Sequence, residues 1–204
     1  RIFPWREDRA TKYQQIVSEI LLQRTKAETV AKYYDTFFSK FPDWNALANA
    51  SLEELEEIMK PLGLYRHRAR RLYKLGEDIR RRGGKIPGNE NELKDSGFIG
   101  LYVTNAFELF ILRNRKPLLD VNMSRLLKRY FKPGDFIDVR HDKEIQELAN
   151  DIIEVRRCKE LNWAILDYAA LVCKTRNPLC GECVLNKHCK YYELSQGDVT
   201  EEPE

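Results

Sequence analysis

Four of the five cysteines lie in one stretch, CKTRNPLCGECVLNKHC, running from Cys173 to Cys189. Six residues separate Cys173 from Cys180, two separate Cys180 from Cys183, and five separate Cys183 from Cys189. Disulfides, zinc and iron–sulfur are the three chemistries open to such a set. Cys180 and Cys183 form a compact chelating pair, and the flanking cysteines close a four-thiolate site for tetrahedral zinc or a cubane cluster. Zinc sites usually show two short pairs, whereas one is present here, and the wide outer spacings fit better around a bulkier cluster. The start, RIFPWRED, lacks the apolar segment of a signal peptide, so a cytoplasmic, reducing location is expected. There, grouped thiols bind metal more often than they pair. Cys158 stands outside the pattern and reads as a small buried hydrophobe.

Carboxylates supply the second chemistry. Asp120 precedes the pattern VNMSRLLKRYF and is placed to cap that helix, which also fixes its carboxylate. Glu19 lies one turn before Gln23, on the same predicted face, and its neighbours Ile20, Leu21 and Leu22 point to partial burial. Net charge is only +3, but RHRARR at 66–71 and RRR at 80–82 are dense basic clusters. They read either as a polyanion-binding face or as a solvated one balanced by Glu77 and Asp78.

The elements that must position these groups read as helical nearly throughout. Tyr13, Ile16, Ile20, Leu21 and Thr25 recur at helical steps. Ser51 and Glu54 make a capping box ahead of LEELEEIM. Leu64, Leu72, Leu75 and Ile79 form the apolar side of a long basic helix that ends at Gly83–Gly84. Further helices are predicted at 102–113, 121–131, 143–155 and 160–173, and no alternating strand pattern is found. The fold class is all-α. The charged stretch RNRKPLLD, 113–120, is the predicted boundary between two helical lobes, whose cleft is expected to carry the chemistry. Apolar residues make up 43% and charged residues 33% of 204, a globular composition. No run approaches the roughly 20 apolar residues of a membrane span.

Several blocks together resemble the endonuclease III and adenine glycosylase family of helix-hairpin-helix DNA repair enzymes. These are FPWR at 3–6, SEILLQRT at 18–25, GLYRHRARRL at 63–72, GFIGLY at 97–102, PLLDVNMSRLLKRYF at 117–131 and the cysteine loop, in family order to about Tyr192. The resemblance implies a 4Fe-4S iron–sulfur cluster on Cys173, Cys180, Cys183 and Cys189. It implies that Asp120 stabilises the sugar cation formed when an N-glycosidic bond breaks, that Glu19 enters the base pocket, and that Gln23 fills the gap left by a flipped base. Arg24, Arg66, Arg68, Gly97, Ile99, Gly100 and Asn122 take the DNA-contacting places, Asn122 supporting either the sugar phosphate or the aspartate. Tyr102 stands where strand-cleaving members carry lysine. A phenol forms no Schiff base, and tyrosine here resembles the thymine–guanine mismatch glycosylases of the family.

The implied protein is a monofunctional glycosylase, acting as a monomer on double-stranded DNA that holds thymine or uracil mispaired with guanine. An adenine-specific enzyme and a non-catalytic DNA-binding relative are the alternatives. The hairpin departs from the family's Leu-Pro-Gly-Val-Gly: SGFIGL, 96–101, keeps Gly100 but places Phe98, which tolerates a positive φ poorly, at the first glycine. The chain stops soon after the loop, which favours the mismatch reading over the two-domain adenine enzymes. The expected lobes are 11–114, and 1–10 with 115–193, followed by an acidic tail at 194–204.

Overall fold

The computed structural model describes residues 1–63, 65–96, 100–134 and 138–197, and every regular element among them is helical. Gly97 and Ile99 of the hairpin, and residues 198–204 of the expected tail, lie outside the described residues. The chain divides into two compact units, Arg1–Asn114 and Arg115–Glu204.

The first unit carries α1 (Lys12–Leu22), α2 (Ala27–Lys40), α3 (Trp44–Ala48), α4 (Leu52–Met59), α5 (Tyr65–Arg81), α6 (Glu90–Lys94) and α7 (Leu101–Phe107). Helix α1 starts at a reciprocal cap: Gln14 N–H donates to Thr11 Oγ1 at 3.2 Å, and Thr11 N–H donates to the Gln14 side chain at 2.9 Å. Its face of Tyr13, Ile16, Val17, Ile20 and Leu21 is buried, whereas Thr25 falls beyond the helix end. The capping box of Ser51 and Glu54 opens α4 as predicted. Both α3 and α4 pack on α5. Gly76 makes the first of these contacts possible, because a Cβ there would stand 2.7 Å from the Leu47 carbonyl oxygen. The helix predicted over 102–113 is composite: α7 passes into a π-turn at Glu108–Leu112, which ends at Arg113 with a left-handed φ of 61°.

Residues 1–10, expected with the second lobe, belong to the first unit. Trp5 is buried, stacks on Phe3 at 4.8 Å and meets Tyr34 of α2 at 6.2 Å, while Arg1 pairs with Glu28 at 2.8 Å. Burying two aromatic rings outweighs any preference this short segment has for solvent.

The second unit holds α8 (Val121–Phe131), α9 (Lys143–Ile152), α10 (Cys158–Leu171) and α11 (Lys190–Gly197). Leu119, Met123, Leu126, Leu127, Ile145, Ala149 and Ala169 form its core, and α9, α10 and α11 all pack on α8. Residues 194–197, expected as the start of a frayed tail, are the last turn of α11.

Candidate functional site

In the first unit, α1 and α7 bring Glu19 and Tyr102 together. The Tyr102 hydroxyl donates to Glu19 Oε2 at 2.6 Å, although the two are 83 positions apart in sequence. Glu19 is 2% exposed. A buried carboxylate needs hydrogen-bonding partners, and the phenol is one that the sequence does not pair with it. Gly100 heads α7 at φ 103°, ψ 141°, a conformation that suits glycine, and no side chain caps the helix there.

Gln23 and the arginines sort differently from expectation. Gln23 is the residue that ends α1, not a member of its face. Its side-chain oxygen accepts from Arg71 and its backbone carbonyl from Arg68. Arg68 is a correction. It is 4% exposed, and its guanidinium also donates to the carbonyls of Leu62 and Gly63, each at 2.8 Å. It therefore clamps two turns and offers no face to a polyanion. Burial, and then the charge of Arg71, pull its pKa below the ordinary arginine value. The signal was present: Arg68 continues the Leu72, Leu75, Ile79 stripe backward by one turn. Arg66 is exposed, lying over the Tyr65 ring at 5.6 Å, and Arg24 is exposed with φ 58°.

In the second unit, Asp120 caps α8. Its Oδ1 accepts from the N–H groups of Asn122 and Met123, both at 2.8 Å, and its Oδ2 accepts from Asn122 Nδ2 at 2.7 Å. Burial pushes its pKa up, opposed by the Met123 N–H, then by the Asn122 side chain and N–H, and by the Arg125 charge. The side chain of Asn122 thus supports the aspartate, one of the two roles expected of it. Its Oδ1 receives Arg125 at 3.0 Å, and Arg125 goes on to the carbonyls of Ala169 at 2.8 Å and Cys173 at 2.9 Å. Arg125 was missed by sequence reasoning. Its place one turn after Asn122 was the available signal.

Cys173, Cys180, Cys183 and Cys189 are all free of disulfides and partly buried. Among the described residues, no three His, Cys, Asp or Glu side chains converge closely enough to hold a metal ion. The four expected ligands are therefore not drawn into a closed cage. They are nonetheless neighbours: burial, then the charges of Cys189, Cys173 and Cys183, push the Cys180 thiol up. Hydrogen-bond donors also point at their sulfurs. Tyr168 Oη lies 3.2 Å from Cys183 Sγ, and an Arg129 nitrogen lies 3.6 Å from Cys173 Sγ. Cys158 is buried at the head of α10, as its reading as a small hydrophobe predicts.

The family model described as "HhH-GPD superfamily base excision DNA repair protein" matches residues 17–159. A thymine/uracil-DNA glycosylase of Methanothermobacter thermautotrophicus is 32% identical over 195 residues, covering 95% of this chain and 87% of the relative. A thymine-DNA glycosylase of Aeropyrum pernix is 35% identical over 193 residues, covering 93% and 86%. The solved structure of a thermostable thymine-DNA glycosylase superposes with a TM-score of 0.83 at 32% identity, over 95% of this chain and 89% of the other. The all-helical architecture, the capped aspartate and these likenesses agree: the chain belongs to the HhH-GPD superfamily of base excision DNA repair proteins.

Proposed function

We propose that the protein is a monofunctional DNA glycosylase, which flips thymine or uracil out of a mispair with guanine and hydrolyses its N-glycosidic bond. The observation that carries this reading is the carboxylate of Asp120, fixed by three donors at the head of α8. Breaking the bond builds positive charge on the sugar. A carboxylate that need not reorganise stabilises that charge, and its raised pKa makes it a stronger base toward the attacking water. Glu19, oriented by Tyr102, hydrogen-bonds the flipped base. Gln23 fills the vacated stack, and Arg24, Arg66 and Gly100 contact the phosphates. A mispair lowers the cost of flipping and so adds to selectivity. Tyr102 brings no amine to the sugar, so an abasic site and not a broken strand is the product. The names of the relatives support thymine and uracil as the bases released.

We further propose that Cys173, Cys180, Cys183 and Cys189 hold a 4Fe-4S cluster. Four free cysteines with hydrogen-bond donors directed at two of their sulfurs suit an iron–sulfur core in donor type and number. When bound, the cluster supplies a cross-link among four positions of the second unit, and base release proceeds on other residues.

The test is base release from a panel of single-mispair duplexes. Thymine or uracil released opposite guanine by the native protein, and none by Asp120→Asn, is the expected result. Adenine release would replace this reading with that of an adenine glycosylase, and tight binding without release with that of a DNA-binding relative.

A further inference from the structure

Residues 113–120, which lead into the Asp120 cap, lie outside any helix, yet Leu118 and Leu119 are 0% and 1% exposed. Buried backbone in an irregular segment must find hydrogen-bond partners elsewhere. Here one side chain supplies two of them. Asn162, 0% exposed on α10, accepts the Leu118 N–H on Oδ1 at 2.6 Å, and its Nδ2 donates to the Lys116 carbonyl at 3.2 Å. The same Nδ2 reaches the Cys158 carbonyl at 3.0 Å and Cys158 Sγ at 3.5 Å. A carboxamide carries a donor and an acceptor side by side, so it pairs with the segment as a neighbouring strand would.

We propose that Asn162 is a positioning residue for Asp120. It pins the chain at Leu118, two residues before the carboxylate, while the carbonyls of Ala169 and Cys173 hold Arg125, which holds Asn122 beyond it. Helix α10 thus fixes Asp120 from both sides, Asn162 on the approach and Ala169 on the exit. The assignment rests on the reading that Asp120 acts at the sugar. A small misplacement of a group at the reacting centre costs up to about a hundredfold in rate while leaving substrate binding alone.

The experiment compares native protein with Asn162→Ala and Asn162→Asp in single-turnover base release, duplex binding, thermal unfolding and pH dependence. Both variants should unfold cooperatively and bind the mispaired duplex within about twofold of native, with release slowed at least about tenfold. The aspartate variant carries a further signature. Its ionised carboxylate accepts from Leu118 but cannot donate to Lys116, whereas the protonated form can. Burial raises such a carboxyl's pKa, and the titratable group touching it, the Cys158 thiol, is itself pushed up by burial and stays neutral. The rate of Asn162→Asp relative to native should therefore recover as pH falls, and that of Asn162→Ala should not. Native-like release by either variant overturns the proposal. So does a parallel loss of binding and rate, the absence of acid recovery, or failure of both variants to fold. A native protein that releases no base from any duplex overturns the glycosylase reading itself, and the positioning role with it.

Discussion

Asp120 caps a helix and, in the proposed reaction, serves the chemistry with the same carboxylate. An acceptor at this position caps α8, and the two N–H groups that complete the cap, joined by the Asn122 side chain, remove the carboxylate's freedom to turn. Burial is the largest influence on its pKa and raises it. In the proposed mechanism the ionised form is the active one, so single-turnover release should fall as pH drops through this raised pKa. The acid limb is expected above the ordinary aspartate value of about 3.9, and a profile flat down to that value would contradict it. Tyr102 gives a second prediction. Tyr102→Phe removes a hydrogen bond to a buried carboxylate, worth about 1.5–3 kcal/mol. Release should slow by about 10- to 100-fold, read in the same assay, and borohydride should trap no covalent DNA adduct with the native protein.

Among the elements, α5 separates two arginines that its sequence makes look alike. Arg66 is exposed, whereas Arg68 spends its donors on the carbonyls of Gln23, Leu62 and Gly63. Arg66→Ala should lower the salt slope of DNA binding by about one, with little effect on stability. Arg68→Ala should take a donor from three carbonyls, of which Leu62 keeps the Thr25 hydroxyl, and cost about 2–4 kcal/mol in denaturant unfolding. Equal effects on both properties would refute the distinction. Gly76→Ala should also destabilise, by about 1–3 kcal/mol, because its Cβ meets backbone at Leu47 and not a yielding side chain. This element shows where sequence is legible and where it is not. The period of Leu72, Leu75 and Ile79 reveals the helix and its buried face, and the cap chemistry of Ser51 and Asp120 reveals two helix starts. Arg68, Asn162 and Arg125 each also have a partner more than forty residues away, in Gln23, Leu118 and Ala169, and no local pattern encodes which distant group a buried donor will meet. The first ten residues were misplaced for the same reason, since the pairing of Trp5 with Tyr34 is a tertiary event.

At the scale of the whole molecule, the proposed chemistry divides between the two units. Glu19 and Tyr102 belong to the first, Asp120 and the four cysteines to the second. The proposed cluster rests on a cysteine spacing that is local and so visible in sequence, whereas the sulfur environment made by Tyr168 and Arg129 is not. If the cysteines hold iron, removing it should lower the unfolding temperature of the protein and release the thiols to titration. An iron-free protein of equal stability would deny the loop its cross-linking role. In the proposed reaction a positioned Asp120 removes a mispaired pyrimidine. The most direct test of that role is single-turnover release from a duplex with one thymine–guanine pair, comparing native protein with Asp120→Asn. The native protein should release thymine, and release should slow by at least about 100-fold in the variant, with duplex binding retained. Turnover by Asp120→Asn at the native rate would contradict that role.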